Sequence, residues 1–481
     1  MSFRTSHPVA SRSFELVQRS LLQAPGLPFT EALTAEHIEQ AFANEGISFG
    51  EGEGCGHEPI YTPAVTLWAM LSQALFTREQ RSCSAAVSRV ATHLGLSGEA
   101  GCSTNTGAYC RARNKVSAGV VQRLTEELGE RCEAEVPDEW RWLGRTVRVV
   151  DGTTLSMPDT PQNQAEYPQP SSQTPGVGFP LMRVLALVSL TTGLVMGMAE
   201  GPYAGKETGE TALLRTLFDQ LQPGDVVLAD RYHCGWFMLA LLREMGLDFV
   251  MRLHQLRSTD FRRGRRLGTG DHIVTWAKPA KPDWLDQEAY DRLPEQLEIR
   301  EVLVPLAVPG FRTESLVVVT SLLAAEEVSA AALAALYRQR WNVELNLRDI
   351  KSRMQLDVLR RKTPARVRQE LWTGLLAYNL VRRSMLQSAQ SVGRLPCTLS
   401  FTITLQTLAN NWVSASPSSL PAAIRDQLIS LRIVNGGKQL VGNRPDRVEP
   451  RAIKRRPPPH DWLMVPRQQA RHTLLTGPPG K

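Results

Sequence analysis

Four apolar runs between Thr146 and Leu253 constrain this chain most. They are "TVRVVDG", "FPLMRVLALVSLTTGLVMGMAEG", "DVVLADR" and "LDFVMRL". Near-continuous apolar segments this short, bounded by turn residues, read as buried strands rather than helices. The second run is long enough for two strands, and Thr192-Gly193 in its middle predicts a hairpin turn there. It falls short of the ~20 apolar residues of a membrane span. Helical patterns separate the later runs: "ETGETALLRTLFDQL" and "CGWFMLALLREMG". A hairpin followed by strand–helix–strand units predicts an α/β fold with a mixed sheet flanked by helices.

Around this core the pattern changes several times. At 481 residues the chain exceeds the size at which single cores divide. Residues 1–60 form an N-terminal segment of weak helices and turns. Residues 61–140 are helical, and "STNTGAYCRARNKVSAGVVQRL" clusters Arg111, Arg113 and Lys115, the types a DNA-reading helix lays against phosphates. A helical bundle with a charged outer face accounts for the same pattern. The mixed-sheet core spans 141–254 and resumes at 314–360 with "SLVVVTSL". Between them, 255–313 reads as a β-rich insertion with a basic loop, "RRGRRLG", and an exposed strand, "LEIREVLVPLAV". A helical region follows over 361–440. The Pro/Arg-rich tail, 441–481, cannot easily bury a core and is expected to be extended.

Charge and cysteine content exclude little. Fifty-five basic residues against 48 acidic give a net charge of +7, which favours a polyanionic partner only weakly. The seven cysteines are dispersed without CxxC spacing, so a reducing cytoplasm is expected, with neither a zinc site nor a disulfide frame.

Candidate chemistry lies where carboxylates meet strand ends. Asp151 closes "TVRVVD" and Asp230 closes "VVLAD", at the carboxyl edge where open α/β sheets present ligands. A lone aspartate there is commonly a turn or cap. A third acid, Glu344, lies in "YRQRWNVELNLRDIK", expected as one long helix starting near Ala325. At about 100° per residue, Tyr337, Arg340, Glu344 and Lys351 share one face, with Arg348 beside them. A solvated face with four-residue ion pairs is the plain reading of such a helix. The other reading is that the phenol and guanidinium groups hold phosphate and that the three acids hold two magnesium ions.

The helix matches Y-x(2)-R-x(3)-E-x(6)-K and, with Asp151 and Asp230 in order, resembles bacterial transposases of the insertion-sequence-four family. The resemblance runs from about Thr146 to Asn379, and more loosely through the N-terminal helices and the "RVEPRAIKRRPPP" tail. It implies an RNase-H-like catalytic core and Mg²⁺-dependent cutting at the ends of a mobile element, with Mn²⁺ able to substitute. It further implies a hairpin intermediate and strand transfer into target DNA. Asp151, Asp230 and Glu344 would be the metal ligands, two ions per site. Tyr337, Arg340, Lys351, Arg348 and Arg231 would contact DNA, and Trp276 or Trp284 could stack on a flipped base if exposed. This chain departs from some relatives after the second acid, where Arg231-Tyr232-His233-Cys234 stands instead of Arg-Glu-Ala-Asp. The partners implied are transposon-end and target DNA, held by a homodimer in a nucleoid-associated, cytoplasmic setting. A DNA-binding derivative without catalysis, and a nuclease that cuts without joining, remain as alternatives.

Overall fold

The computed structural model describes residues 33–47, 60–96, 103–305, 315–413, 422–437 and 463–476. The N-terminal bundle comprises α1 (Ala35–Asn44), α2 (Pro63–Leu75), α3 (Cys83–Leu96), α4 (Gly107–Lys115) and α5 (Ala118–Ala134). Helix α2 has Pro63 at its first turn and a side-chain cap from Thr62, the combination that starts a helix cleanly. It is buried on nearly every side, so it is the bundle's centre rather than a surface helix.

The core sheet begins with β1 (Val147–Ser156), followed by α6 (Pro161–Glu166), β2 (Leu181–Ser189), β3 (Val195–Pro202) and α7 (Glu210–Arg215). Then come β4 (Val226–Ala229), α8 (Trp236–Glu244) and β5 (Asp248–Arg252). Strands β1, β2 and β3 form an antiparallel meander, while β4 pairs parallel to β1 and β5 parallel to β4. The order β3-β2-β1-β4-β5 is that of an RNase-H-like core. The hairpin between β2 and β3 turns at Gly193, whose φ of +72° lies in the left-handed region that glycine occupies without strain.

The insertion supplies β6 (Arg265–Gly268), β7 (Asp271–Ala277), α9 (Gln287–Arg292) and β8 (Gln296–Pro305). Its strands join the core sheet through β9 (Ser315–Thr320), completing nine strands in the order β3-β2-β1-β4-β5-β9-β8-β7-β6. Buried Arg300 of β8 forks onto both carboxylate oxygens of Asp271 at 2.9 and 2.6 Å and donates to the carbonyls of Leu322 and Val328. All but one of its five N–H donors are thereby used.

The C-terminal part contains α10 (Ala330–Gln339), α11 (Trp341–Arg348), a π-turn over Asp349–Arg353, and α12 (Pro364–Gln390). After these come α13 (Phe401–Val413), α14 (Ala422–Gly437) and α15 (Arg467–Thr476). Helix α12 is buried along most of its length and packs against α5 and α2. Asn379 pins three layers together: its amide bonds both backbone groups of Val195 and donates to the Thr125 carbonyl. Among the described residues no helix is long and apolar enough to cross a membrane.

Three local expectations change. Strand β1 does not end at Asp151 but continues to Ser156, because β2 pairs with it over that whole length. The helix expected to run unbroken through Lys351 is interrupted at Arg340, where Arg340 and Val343 make three-residue rather than four-residue backbone bonds, and again at the π-turn. Within the tail, Arg467–Thr476 is helical; residues 441–462 and 477–481 lie outside the described residues.

Candidate active site

Parallel pairing brings the first two acids together. Strand β1 pairs with β4 in the register Val149↔Leu228. Asp151 lies two residues past Val149 and Asp230 two residues past Leu228, so both acids stand at the edge where the β1–β4 ladder ends. Beyond Val149, β1 keeps its β2 partner but has no β4 partner, so this edge opens at Asp151. Asp230 begins the turn after β4, and its Oδ1 accepts the Tyr232 backbone N–H at 2.8 Å.

Helix α11 packs against β1 and carries Glu344. Asp151 and Thr153 project from one face of the strand because side chains alternate. Lys351 Nζ donates to Thr153 Oγ1 at 2.9 Å, which fixes the end of the signature helix two residues from Asp151. Arg340 is buried and donates to Glu344 Oε1 at 3.0 Å, while the Glu344 side chain stays 44% exposed. The Arg340 Nε has no hydrogen-bond partner.

The electrostatics of this edge centre on Asp151. Burial pushes its carboxyl up to about 6, Glu344 and Glu210 add to the shift, and Arg340 opposes it. Tyr337 is buried too, and burial pushes its phenol up to about 12 against the pull of Arg340 and Arg252. Asp230 adds to the rise.

Glu210 was not anticipated from the sequence. It lies at the start of α7, and its carboxyl occupies the space where a Cβ on Gly152 would stand. Gly152 faces opposite to Asp151, so Glu210 approaches β1 from the other side of the sheet. Burial and the nearby Asp230 raise its carboxyl, and Arg183 opposes them. His233 Nε2 is 3.9 Å from Glu210, yet burial lowers the imidazole to about 4, so the two do not form an ion pair at neutral pH. The only sequence signal was the adjacency of Gly152 to Asp151, which leaves room for a neighbour but does not name it.

Buried support for α11 was also missed. Arg382 of α12 donates to Asn346 Oδ1 at 2.6 Å, Asp349 Oδ2 at 3.3 Å and the Tyr378 hydroxyl at 2.8 Å. Tyr378 in turn donates to the Gly193 carbonyl. The helix bearing Glu344 is thus tied through Arg382 to the β2–β3 turn.

Carboxylates that repel one another with a single guanidinium between them suit a divalent cation, whose charge inverts that balance. In the present geometry, among the described residues, no three His, Cys, Asp or Glu side chains converge closely enough to enclose one ion.

The remaining residues singled out in the sequence fall elsewhere. Arg231 and Arg348 are exposed near the site. Arg111 and Lys115 are exposed on α4, while Arg113 turns inward and donates to Cys83 Sγ at 3.2 Å. Trp276 is only 7% exposed; its indole N–H reaches Glu301 at 3.3 Å and Arg257 stacks on its ring. It therefore offers no exposed platform, since its polar edge is satisfied inside the insertion. Trp284 is half-buried, with Arg215 stacked on its ring at 3.8 Å.

An RNase-H-like sheet with acids at the open end of β1, after β4 and on a basic helix packed over β1 describes a polynucleotidyl-transferase type of site. Comparison with known proteins agrees. The model of the Transposase DDE domain matches residues 142–380. Transposase InsG for insertion sequence element IS4, from Escherichia coli (strain K12), is 28% identical over 363 residues, 73% of this chain and 76% of that protein. Putative transposase InsZ of the same organism is 26% identical over 158 residues, 32% of this chain and 52% of the relative. The cryo-EM structure of the piggyBac transposase synaptic complex with hairpin DNA overlaps 88% of this chain and 85% of that one, at 10% identity and a TM-score of 0.39, too loose to carry a fold assignment. The chain belongs to the DDE transposases of the insertion-sequence-four family. It is therefore an enzyme of a class that uses divalent metal.

Proposed function

We propose that the protein cuts DNA at the ends of an insertion sequence and joins those ends to target DNA by a cut-and-paste route through a hairpin intermediate. What supports this reading is that Asp151 and Asp230 each lie two residues past the last β1–β4 pair, Val149↔Leu228, and that the helix bearing Glu344 packs against β1. Asp151, Asp230 and Glu344 would hold two Mg²⁺ ions, or Mn²⁺ in their place, which when bound acidify an attacking hydroxyl and stabilise charge on phosphoryl oxygens. The chain's own cations do the positioning. Arg340 is braced by Glu344 and Lys351 by Thr153, so both present N–H donors with little freedom left to lose. Tyr337 keeps its proton at neutral pH, so its buried phenol is a neutral hydrogen-bonding group near Arg340. Exposed Arg231 and Arg348 extend the cationic rim along which a DNA backbone would lie. A homodimer that pairs two ends, acting on nucleoid DNA in the cytoplasm, belongs to the same reading.

The test uses duplex DNA carrying the inverted repeats that flank the gene, with Mg²⁺ and then Mn²⁺. Wild type is expected to release the flanking DNA, form hairpin-ended product and join it to plasmid. Asp151→Asn and Glu344→Gln are expected to bind the same ends and leave them whole. Cutting by Asp151→Asn at the wild-type rate would refute the site, and cutting without joining would mark a nuclease.

A further inference from the structure

A second cationic feature lies away from the carboxylates, between the N-terminal bundle and the segment leading into α12. It is a cleft of about 220 Å³ lined by Gln73, Arg81, Cys83, Arg113, Arg360 and Arg361, among others. Roughly 300–1,000 Å³ is usual for small organic ligands, so this one is sized for a smaller group.

Its charge is unbalanced. Glu370 is the one acidic residue in the lining, and it is committed: its Oε2 accepts the backbone N–H groups of Arg360 and Arg361 at 2.7 and 3.2 Å. Arg81 is likewise occupied, donating to the carbonyls of Met354 and Gln355. Arg113 spends one nitrogen on Cys83 Sγ, and its buried Nε has no hydrogen-bond partner. Arg360 is exposed at the mouth and Arg361 is half-buried behind it. Burial, with Arg113 and Arg361 nearby, lowers the guanidinium of Arg366; burial, Arg360 and Arg361 do the same to Arg81 against Glu370. Burial alone would raise the Cys83 thiol, but Arg113 and Arg361 outweigh it and leave the thiol below its ordinary range. The lining thus sets four arginines, Arg81, Arg113, Arg360 and Arg361, against one carboxylate, Glu370, whose Oε2 also lies 4.0 Å from Arg361 Nε.

We propose that this cleft is a phosphate-binding site in which Arg113, Arg360 and Arg361 take one phosphate group, from a DNA backbone or from free phosphate. Planar guanidinium forks around a small polar hollow are suited to phosphate oxygens. The DNA source rests on the proposed function, and the geometry accommodates it. The segment carrying Arg360 and Arg361 is paired to the far end of β1, where Leu359 N–H donates to the Ser156 carbonyl. Ser156 lies about 17 Å along the strand from Asp151, a span of roughly five base pairs of duplex. One duplex could therefore lie along both places.

Cys83 reports occupancy without any cleavage. Full-length protein is treated with iodoacetamide at constant ionic strength, metal-free, and alkylation of Cys83 and of exposed Cys397 is followed by mass spectrometry. Separate arms contain inorganic phosphate, pyrophosphate or a short duplex. At about ten times Kd, mass action predicts roughly tenfold slower labelling of Cys83, with Cys397 unchanged. The Arg360→Gln/Arg361→Gln double variant, normalised to its own ligand-free rate, is expected to lose that protection. Its duplex binding should depend less steeply on salt, by about 1–2 in the log–log slope. Protection by duplex assigns the site to DNA; protection by phosphate or pyrophosphate alone assigns it to a free anion. Unchanged Cys83 labelling in every arm, or protection that survives the double variant, overturns the proposal. Because no arm needs metal or cutting, a protein that fails here can still be an active transposase, and an inactive one can still pass.

Discussion

Removing Arg382 should loosen the helix that carries Glu344, and the structure sets the size of the effect. Arg382 is buried, and so is its partner Asp349. Arg382→Met keeps the length and apolar stem while deleting the bonds to Asn346, Asp349 and Tyr378. Two bonds to neutral groups at about 1 kcal/mol each and one to a carboxylate at about 1.5–3 kcal/mol give about 3.5–5 kcal/mol. That agrees with the ~3–5 kcal/mol typical of stranding one member of a buried pair. The strandedness is partly relieved, since burial already raises the Asp349 carboxyl against Arg382, Arg348 and Arg353. A proton can therefore replace the lost cation, and the expected net loss is about 2–4 kcal/mol. Urea unfolding at pH 7.5 measures it. Asp349→Asn in the Arg382→Met background should recover about 1–3 kcal/mol, because no charge is then left buried. A loss below about 1 kcal/mol, or an Asp349→Asn change that adds to the damage, would refute this account of the network.

Other perturbations test the site itself. Asp151→Asn should stabilise the metal-free protein. The folded-state carboxyl is raised to about 6 from an ordinary 3.8, so the wild type loses stability as pH climbs from about 4 through 6 and carries the full cost above that. Thermal melts should show the variant's advantage at pH 8 and none at pH 3.5, and added Mg²⁺ should stabilise wild type more. An advantage that is flat with pH would contradict the assignment. Gly152→Ala should destabilise the fold only mildly, because its methyl meets the Glu210 carboxyl, the far end of a flexible side chain that must swing away. Glu210→Ala in the same chain should restore the melting temperature, and failure to do so would place the clash elsewhere. Lys351→Met should weaken end-DNA binding and lower its salt slope by about 1. An unchanged slope would mean that Lys351 serves only Thr153.

What was legible in the sequence was whatever depends on neighbours along the chain. Apolar runs marked β1 to β5, Gly193 marked the hairpin, and the two aspartates after apolar runs marked the open end of the sheet. The Y-R-E-K spacing identified the helix that covers it. What depends on distant partners was hidden. The extension of β1 to Ser156 is decided by β2, and the burial of Trp276 by Glu301 across the insertion. Arg113 reads as a surface cation until Cys83, 30 residues earlier, proves to lie beneath it. Glu210 had no local signal, because its place is made by an absent side chain on another element.

The joining of the insertion to the core has a mechanical consequence. Strands β5, β9, β8 and β7 form one ladder, and Arg300 clamps β8 to β7 and to the segment after β9. A continuous ladder leaves no hinge between the carboxylate edge and the insertion, so the two behave as one rigid template. Where touching both requires a duplex to bend, the template does not yield. The cost of that bend falls on the nucleic acid and varies with its sequence, being least at flexible pyrimidine–purine steps. Selectivity for an element's ends could then arise at base pairs that no side chain contacts.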